Sequence, residues 1–313
     1  MNYWKTFTTT FKQWWHHKYL WLVGLIGSIF AGGGASSSGS SGGSYSPSST
    51  TSSKLNSNIN LDFLKDPNTV RIIVIVFVVI VILSLIFLVI SLYMTSRANS
   101  ALIQATDKIN QDDSKLGFKQ TWSLGKFRLG TLVKYQLLVG LPMYILGMMV
   151  IVGAFVLFIT GRLDFTTVSL ALVSFILFAM VFLCVFVLYT LVVAVISVFG
   201  IRISVLENVG LREGFSKGYI LIKSNLGQVI VFWLLTFIIS GAVGIISLPV
   251  TLVLVIGGIG VVVPLIIASP VVGIIVAVLI VMALIIIMVL LEGPVYAFTQ
   301  MYWTNVYLEL KKK

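Results

Sequence analysis

The sequence predicts an all-α membrane protein, a polytopic bundle of transmembrane helices, from its composition and from the pattern of its apolar residues. Of 313 residues, 58% are hydrophobic and only 10% are charged, whereas a soluble domain is about a quarter charged. Uncharged runs cover 72–96, 135–161, 165–201 and 224–291. Each run exceeds the ~20 residues that a helix needs to cross the hydrocarbon core. Helices are expected because lipid cannot satisfy free backbone groups.

These runs divide into about six spans, arranged as three hairpins. The predicted spans are 19–35, 72–94, 136–159, 170–199, 228–248 and 271–292. For the first, a cleaved signal peptide is the competing interpretation, but a leader so rich in Trp and Phe favours an uncleaved span. Between the last two spans, the Gly and Pro residues of 249–270 predict a re-entrant broken helix or an interfacial loop.

The distribution of positive charge predicts the sidedness of the chain. On alternating sides, 17 lysines and arginines fall on one side and four on the other. Because Lys and Arg accumulate in cytoplasmic loops, both termini are expected inside, in a multi-pass protein of the cytoplasmic membrane. Residues 1–313 then form one integral membrane domain. Within it, 32–69 is a flexible Gly/Ser-rich extracytoplasmic loop, and 97–134 and 200–227 are cytoplasmic amphipathic segments.

An internal repeat is the most specific feature of the sequence. The segment 117–138 aligns without gaps to 214–235, with eight identities, and a weaker third copy begins at Phe11. At ~100° per residue each copy predicts an amphipathic surface helix that leads into a hairpin. The residues expected to face lipid are Gly117, Phe118, Trp122, Lys126, Gly130, Gly214, Phe215, Tyr219, Lys223 and Gly227. Their rings suit the headgroup level and their lysines suit anionic lipid headgroups, although simple anchoring without a specific ligand is the alternative.

The chain also resembles a bacterial family, the multi-helix membrane domain attached to some glycerophosphoryl diester phosphodiesterases, together with related stand-alone membrane proteins of unknown function. The resemblance rests on the basic, aromatic N-terminus and on the loop ENVGLREGFSKGYILIKSNL at 207–226. Tyr219 stands where the family pattern has Trp. The resemblance implies a membrane bundle, and no phosphodiesterase domain is present to carry the enzymatic activity.

Catalytic chemistry is not evident in the sequence. It has no phosphate-binding Gly-rich loop, HExxH motif, cysteine pair or nucleophile elbow, so no catalytic, cofactor-binding or metal-binding residue is predicted. Glu292, at the end of the last apolar run, is a candidate functional acid because an ionisable group at membrane depth is often functional. A helix end at the interface is the alternative.

Two functions therefore lead, neither involving nucleic acid, and a membrane-embedded enzyme acting on lipid is the least favoured third, because no convergent acid, base or nucleophile is evident. The first is a non-enzymatic membrane protein that scaffolds a membrane or cytoplasmic protein partner or organises lipid, which the repeated basic-aromatic helices favour. The second is a transporter or channel for a hydrophobic or lipid-like solute, which the Gly/Pro-interrupted segment favours because transporters often bind solute at discontinuous helices.

Overall fold

The computed structural model describes residues 3–31, 67–112, 116–159 and 165–312, and these ranges are helical with no strand. The predicted all-α class is confirmed for this part of the chain. Its nine helices are α1 (Tyr3–His16), α2 (Tyr19–Phe30), α3 (Pro67–Asp112), α4 (Phe118–Leu124), α5 (Leu129–Ile159), α6 (Phe165–Leu206), α7 (Leu211–Ser224), α8 (Leu226–Ala268) and α9 (Pro270–Lys311).

Helix α3 corrects two predicted boundaries. It begins at Pro67, so residues 67–69 belong to the helix and not to the predicted loop, of which 32–66 lie outside the described residues. Proline is favoured in the first turn of a helix because its missing N–H is not needed there. The helix also continues to Asp112, since no glycine or later proline interrupts it. The first part of the predicted 97–134 segment is therefore an extension of a long helix.

Helix α8 corrects the prediction of a broken segment at 249–270. Pro249 and Pro264 both lie inside a helix that is continuous from Leu226 to Ala268. The break comes at Ser269, whose backbone is extended with φ −155° and ψ 103°. Proline removes one backbone hydrogen bond but is tolerated within long apolar helices. The Gly and Pro residues of this segment therefore disrupt the helix less than the sequence predicted.

Two stretches in the described part of the chain are long and apolar enough to cross a membrane. They are Val81–Gln111 and Phe182–Leu206, and the bent pair Leu211–Ser224 with Leu226–Ile239 would make a third. Helix α2, at the position of the first predicted span, has 12 described residues. That length is below the ~20 residues of a full crossing. The structure therefore supports two or three crossings, and the six-span arrangement remains a prediction.

The buried core lies at one end of the long helices. In α3, residues Ala98 to Ala105 include several fully buried side chains, whereas Ile82 and Phe87 are more than half exposed. The same change occurs in α9, where Met301 and Val306 are fully buried. The apolar runs therefore project from a packed end that contains the more polar parts of the same helices.

At this packed end the last helix of each predicted hairpin meets the other two. Helices α3, α6 and α9 contact one another, and each carries one short helix on its surface. Helix α4 packs on α3, α7 packs on α6, and α1 packs on α9, while α2 lies between α3 and α9. The N-terminal helix is therefore held by the C-terminal one.

Candidate functional site

The first copy of the predicted repeat places the short helix α4 against α3. Gly117 caps its start, and the Gly117 backbone N–H donates to the carboxamide oxygen of Gln120 at 3.2 Å. Phe118 is exposed and stacks on Trp122, with ring centres 6.2 Å apart. Trp122 is only half-buried by this arrangement, and the Arg97 guanidinium lies 4.5 Å from its ring centre, a stabilising cation–π distance. Phe118 is therefore the more outward-facing of the two aromatic residues.

The second copy packs α7 against α6 through small residues. Gly214 and Gly218 are buried on the face that meets α6. A Cβ atom on Gly218 would lie 3.1 Å from the backbone nitrogen of Gly200, so the two backbones approach closely, which glycine allows. Phe215 is half-buried against the core, whereas Tyr219 is 51% exposed. The chain then turns by 97° into α8.

Residues that align between the two copies largely share their exposure. Leu129 and Leu226 are the first residues of α5 and α8. Aligned pairs that are both buried include Gly125/Ile222 at the short helices and Leu132/Val229 and Tyr135/Phe232 on the long ones, and pairs that are both exposed include Lys126/Lys223 and Gly130/Gly227. Gly117 and Gly214 differ, because the first is an exposed cap and the second is buried. The copies thus share their pattern of exposure over the short helices and over the start of each long helix.

Helix α1 presents exposed aromatic side chains that were not among the predicted site residues. Trp4, Phe11 and Trp15 are 67%, 46% and 54% exposed. Trp4 and Phe11 are seven residues apart and Trp15 is one turn further, so the three lie on one side of the helix. Lys12 is exposed beside them, and the Lys18 ammonium lies 5.5 Å from the Trp15 ring centre. The regular spacing of aromatic residues was the available signal for this surface.

The opposite side of α1 is fixed to α9. The Trp14 indole N–H donates to the carbonyl oxygen of Pro294 at 2.8 Å. The Asn305 amide donates to the Thr10 hydroxyl at 2.9 Å, and both side chains are buried. Buried polar groups are costly unless paired, so these bonds set the position of α1 along α9.

Glu207 connects the end of α6 to α7 and α9. Its carboxylate accepts a hydrogen bond from the Tyr307 hydroxyl at 2.9 Å and pairs with Lys311 at 2.9 Å and Lys217 at 3.1 Å. Partial burial opposes ionisation, but these three donors outweigh it and lower the pKa of Glu207 to about 2. Lys217 lies in α7, only ten residues further along the chain. The partners on α9, which lie about 100 residues further along the chain, gave no local signal.

Arg202 is a buried cation between α6 and α9. It is 3% exposed and donates to the Gln300 side-chain oxygen at 2.9 Å and to the Val198 carbonyl. No carboxylate of the described residues pairs with it, and its Nε has no acceptor there. A buried charge is destabilising unless polar groups compensate it. The oxygen atoms of Val198 on α6 and of Gln300 on α9 do so here, and Arg202 thereby joins the two helices.

Glu292 lies half-buried in α9 at the end of the last apolar run. The next residue, Gly293, packs against the backbone of Leu25 in α2. Within the described ranges no hydrogen bond or ion pair to Glu292 is present, and no three His, Cys, Asp or Glu side chains converge as metal ligands would. Among the residues that the structure describes, Glu292 therefore belongs to no ion pair and to no cluster of metal ligands.

Comparison with known proteins assigns the chain to a family without assigning an activity. No curated protein and no solved structure matches the chain, and no link to the membrane domain of the phosphodiesterases appears. A family model described as a family of unknown function, DUF7544, matches residues 4–310. Because that match runs from α1 into the last turns of α9, the protein belongs to the family of unknown function DUF7544.

Proposed function

We propose that this protein is a non-enzymatic, multi-pass protein of the cytoplasmic membrane that engages anionic lipid headgroups through its short helices and so organises lipid or scaffolds a partner protein. The observation that carries the proposal is that α1, α4 and α7 each leave an aromatic side chain exposed within four residues of an exposed lysine. These pairs are Trp15 with Lys18, Phe118 with Lys119 and Tyr219 with Lys223. Aromatic rings favour the headgroup layer, and lysines are attracted to the anionic cytoplasmic leaflet.

The architecture that we propose is three related units with six spans and both termini inside. Each unit is a short surface helix followed by a hairpin, in the order α1–α3, α4–α6 and α7–α9. The shared exposure of the aligned residues supports this division, as does the packing of each short helix on the last helix of a neighbouring unit. The likeness of residues 207–226 to the phosphodiesterase-linked membrane domain agrees with the same arrangement and remains a hypothesis.

Cysteine labelling in intact cells tests the topology. In a Cys184→Ser background, single cysteines within 32–53 should react with an impermeant maleimide from outside. Cysteines at Lys126, Lys223 and Lys312 should react only after the cells are opened, because the charge distribution places them inside. Labelling of 32–53 and of position 312 from the same side would refute the six-span topology.

Lipid extraction tests the headgroup interaction. The protein is reconstituted in mixed phosphatidylglycerol and phosphatidylcholine, excised with its surrounding lipid by a polymer, and the lipid is quantified. Wild type should be enriched in phosphatidylglycerol over the bulk, and the triple variant K119Q/K126Q/K223Q should be less enriched, because it removes the lysines beside the exposed aromatic residues of α4 and α7 but not those of α1. The control K108Q/K312Q removes two exposed cations, neither within four residues of an exposed aromatic residue, and should retain it. Equal enrichment in wild type and the first variant would overturn the proposal.

The competing proposal, a transporter or channel for a hydrophobic solute, has less support. Its main motivation was an interrupted helix at 249–270, and α8 is continuous through Pro249 and Pro264. Solute uptake that depends on the protein and survives loss of the headgroup interaction would favour it. Recovery of one membrane or cytoplasmic protein with wild type but not with K119Q/K126Q/K223Q would instead favour scaffolding.

A further inference from the structure

We infer that a groove at the junction of α1 and α2 binds one anionic phospholipid, with its phosphate against Lys12 and His16 and an acyl chain along Trp15 and Leu22. The inference rests on the proposed function, because it requires α1 to lie at headgroup level. It adds a discrete site, a stoichiometry of one lipid, and a region of the chain outside the two aligned copies.

The groove has the size and chemistry of a headgroup site. Its volume is about 520 Å³, within the usual range for small-molecule sites. The residues that line it are Phe11, Lys12, Gln13, Trp15, His16 and His17, with no carboxylate among them. Lys12 and His16 are four residues apart and therefore neighbours on one helix face. An ammonium and an imidazole N–H can both donate to phosphate oxygens.

Hydrogen bonds place the groove at the edge of the apolar layer. Trp14, between two groove residues, donates to the carbonyl of Pro294, which follows the predicted span 271–292 by two residues. Trp21 in turn donates to the carbonyl of Trp14 at 3.2 Å, so the first turn of α2 is tied to the same level. Tryptophan is enriched at this depth because its ring is apolar and its N–H needs a partner. A phosphate in the groove therefore sits where lipid phosphates lie.

An apolar track continues from the groove along α2. Trp15, Leu22 and Ile29 follow one another at seven-residue intervals and are 54%, 55% and 41% exposed. Leu22 and Ile29 share one face of α2, while the opposite face, with Gly24 buried, packs on α9. The uncovered face thus leads from the cationic groove toward the apolar run, as an acyl chain would. The positive charge at one end and the apolar side chains at the other match an anionic phospholipid.

Native mass spectrometry of the full-length protein tests the site. Dioleoyl phosphatidylglycerol and phosphatidylcholine are added in equal amounts to the detergent-solubilised protein. Wild type should retain one phosphatidylglycerol in preference to phosphatidylcholine. K12Q should bind it about fivefold more weakly, from the typical attraction of one lysine to an anionic surface, and K12Q/H16Q about tenfold more weakly or more. The control K108Q, an exposed lysine on α3 outside the groove, should bind as wild type does.

Two further arms identify the bound chemistry. L22A should weaken binding of the dioleoyl lipid more than that of its dihexanoyl analogue, because only the long chain reaches the α2 track. Millimolar inorganic phosphate should not displace the dioleoyl lipid, and displacement would overturn the lipid assignment in favour of a phosphate site. Equal retention of phosphatidylglycerol by K12Q/H16Q and by wild type would overturn the assignment of the groove as a lipid site. If K119Q/K126Q/K223Q then lowered phosphatidylglycerol enrichment, the proposed function would stand without the groove, whereas no effect of either variant would refute both.

Discussion

Replacing Glu207 with glutamine isolates the contribution of one carboxylate that joins three helices. The substitution keeps the shape of the side chain but removes its charge, so the ion pairs with Lys217 and Lys311 are lost. A pKa near 2 against the ordinary 4.5 sets an upper limit of about 3.5 kcal/mol, at ~1.4 kcal/mol per pKa unit. The two lysine side chains are 45% and 54% exposed, and solvent weakens such pairs. We therefore expect E207Q to lower the free energy of unfolding by about 1–2 kcal/mol.

Thermal unfolding in detergent, followed by tryptophan fluorescence, measures this loss. Trp303 is buried in the same cluster as Tyr307 and should report on the packing of α9. E207Q should lower Tm by roughly 2–5 °C. The matched control is E213Q, which removes a carboxylate that pairs with the same Lys217 but is 56% exposed. Because an exposed pair contributes little, E213Q should change Tm by less than half as much.

The pH dependence of stability gives a second test of the role of Glu207. The pKa of Glu207 is lower in the folded than in the unfolded protein, so its stabilisation is complete above the unfolded value near 4.5 and disappears as pH falls toward about 2. The Tm difference between wild type and E207Q should be constant at neutral pH and shrink between about pH 4.5 and 2. A difference that persists unchanged at pH 2.5, or that is absent at pH 7, would refute the assigned role.

Three further predictions follow from the packing. G214A should lower the free energy of unfolding by about 1–3 kcal/mol, because its Cβ would lie 2.7 Å from the buried Tyr135 hydroxyl. G227A has open space around it and should leave Tm nearly unchanged. Equal Tm values for the two variants would contradict the close α6–α7 packing. R202A should lower the free energy of unfolding by about 3 kcal/mol, since it opens a cavity and leaves Gln300 without its donor. R202M should lower it less, because methionine fills the space without burying a charge. An R202M variant less stable than R202A would contradict this. Cys184, the single cysteine, is exposed within an apolar run, so in intact membranes it should resist an impermeant maleimide and react after denaturation in dodecyl sulfate. Rapid labelling in native membranes would place that part of α6 in water.

The sequence was sufficient for the helical class but not for the start of the long helices, because the spans predicted from 136 and 228 belong to helices that begin at Leu129 and Leu226. Composition and uncharged length determine the class, because lipid-compatible segments of this kind have few structural options. The aligned leucines Leu129 and Leu226 both start long helices, since the repeat carries the same local signals twice. Glycine and proline content was less reliable, because neighbouring turns keep α8 helical through two prolines whereas the extended Ser269 ends it.

The contacts that join distant helices were beyond sequence reasoning. Nothing in the local pattern selects Lys311 and Tyr307 as partners of Glu207, or Pro294 as the acceptor for Trp14. Periodicity shows which face of a helix is apolar but not which helix covers it. The spacing of the aromatic residues in α1 indicated an aromatic side of this helix. The sequence did not show that the other side packs on α9, and so it did not show which aromatic residues are exposed and which are buried.

The bond between α1 and α9 has a consequence for biosynthesis. Trp14 leaves the ribosome about 280 residues before its acceptor Pro294, and at typical rates of ~5–20 residues per second that interval is on the order of 15–60 s. During this time α1 has no native partner on α9, and its aromatic residues are free to contact the membrane surface on both sides of the helix. Helix α1 is therefore synthesised well before α9 and reaches its native environment only after α9 has emerged. Under the proposed topology, the apolar runs insert into the membrane before α1 is fixed in place.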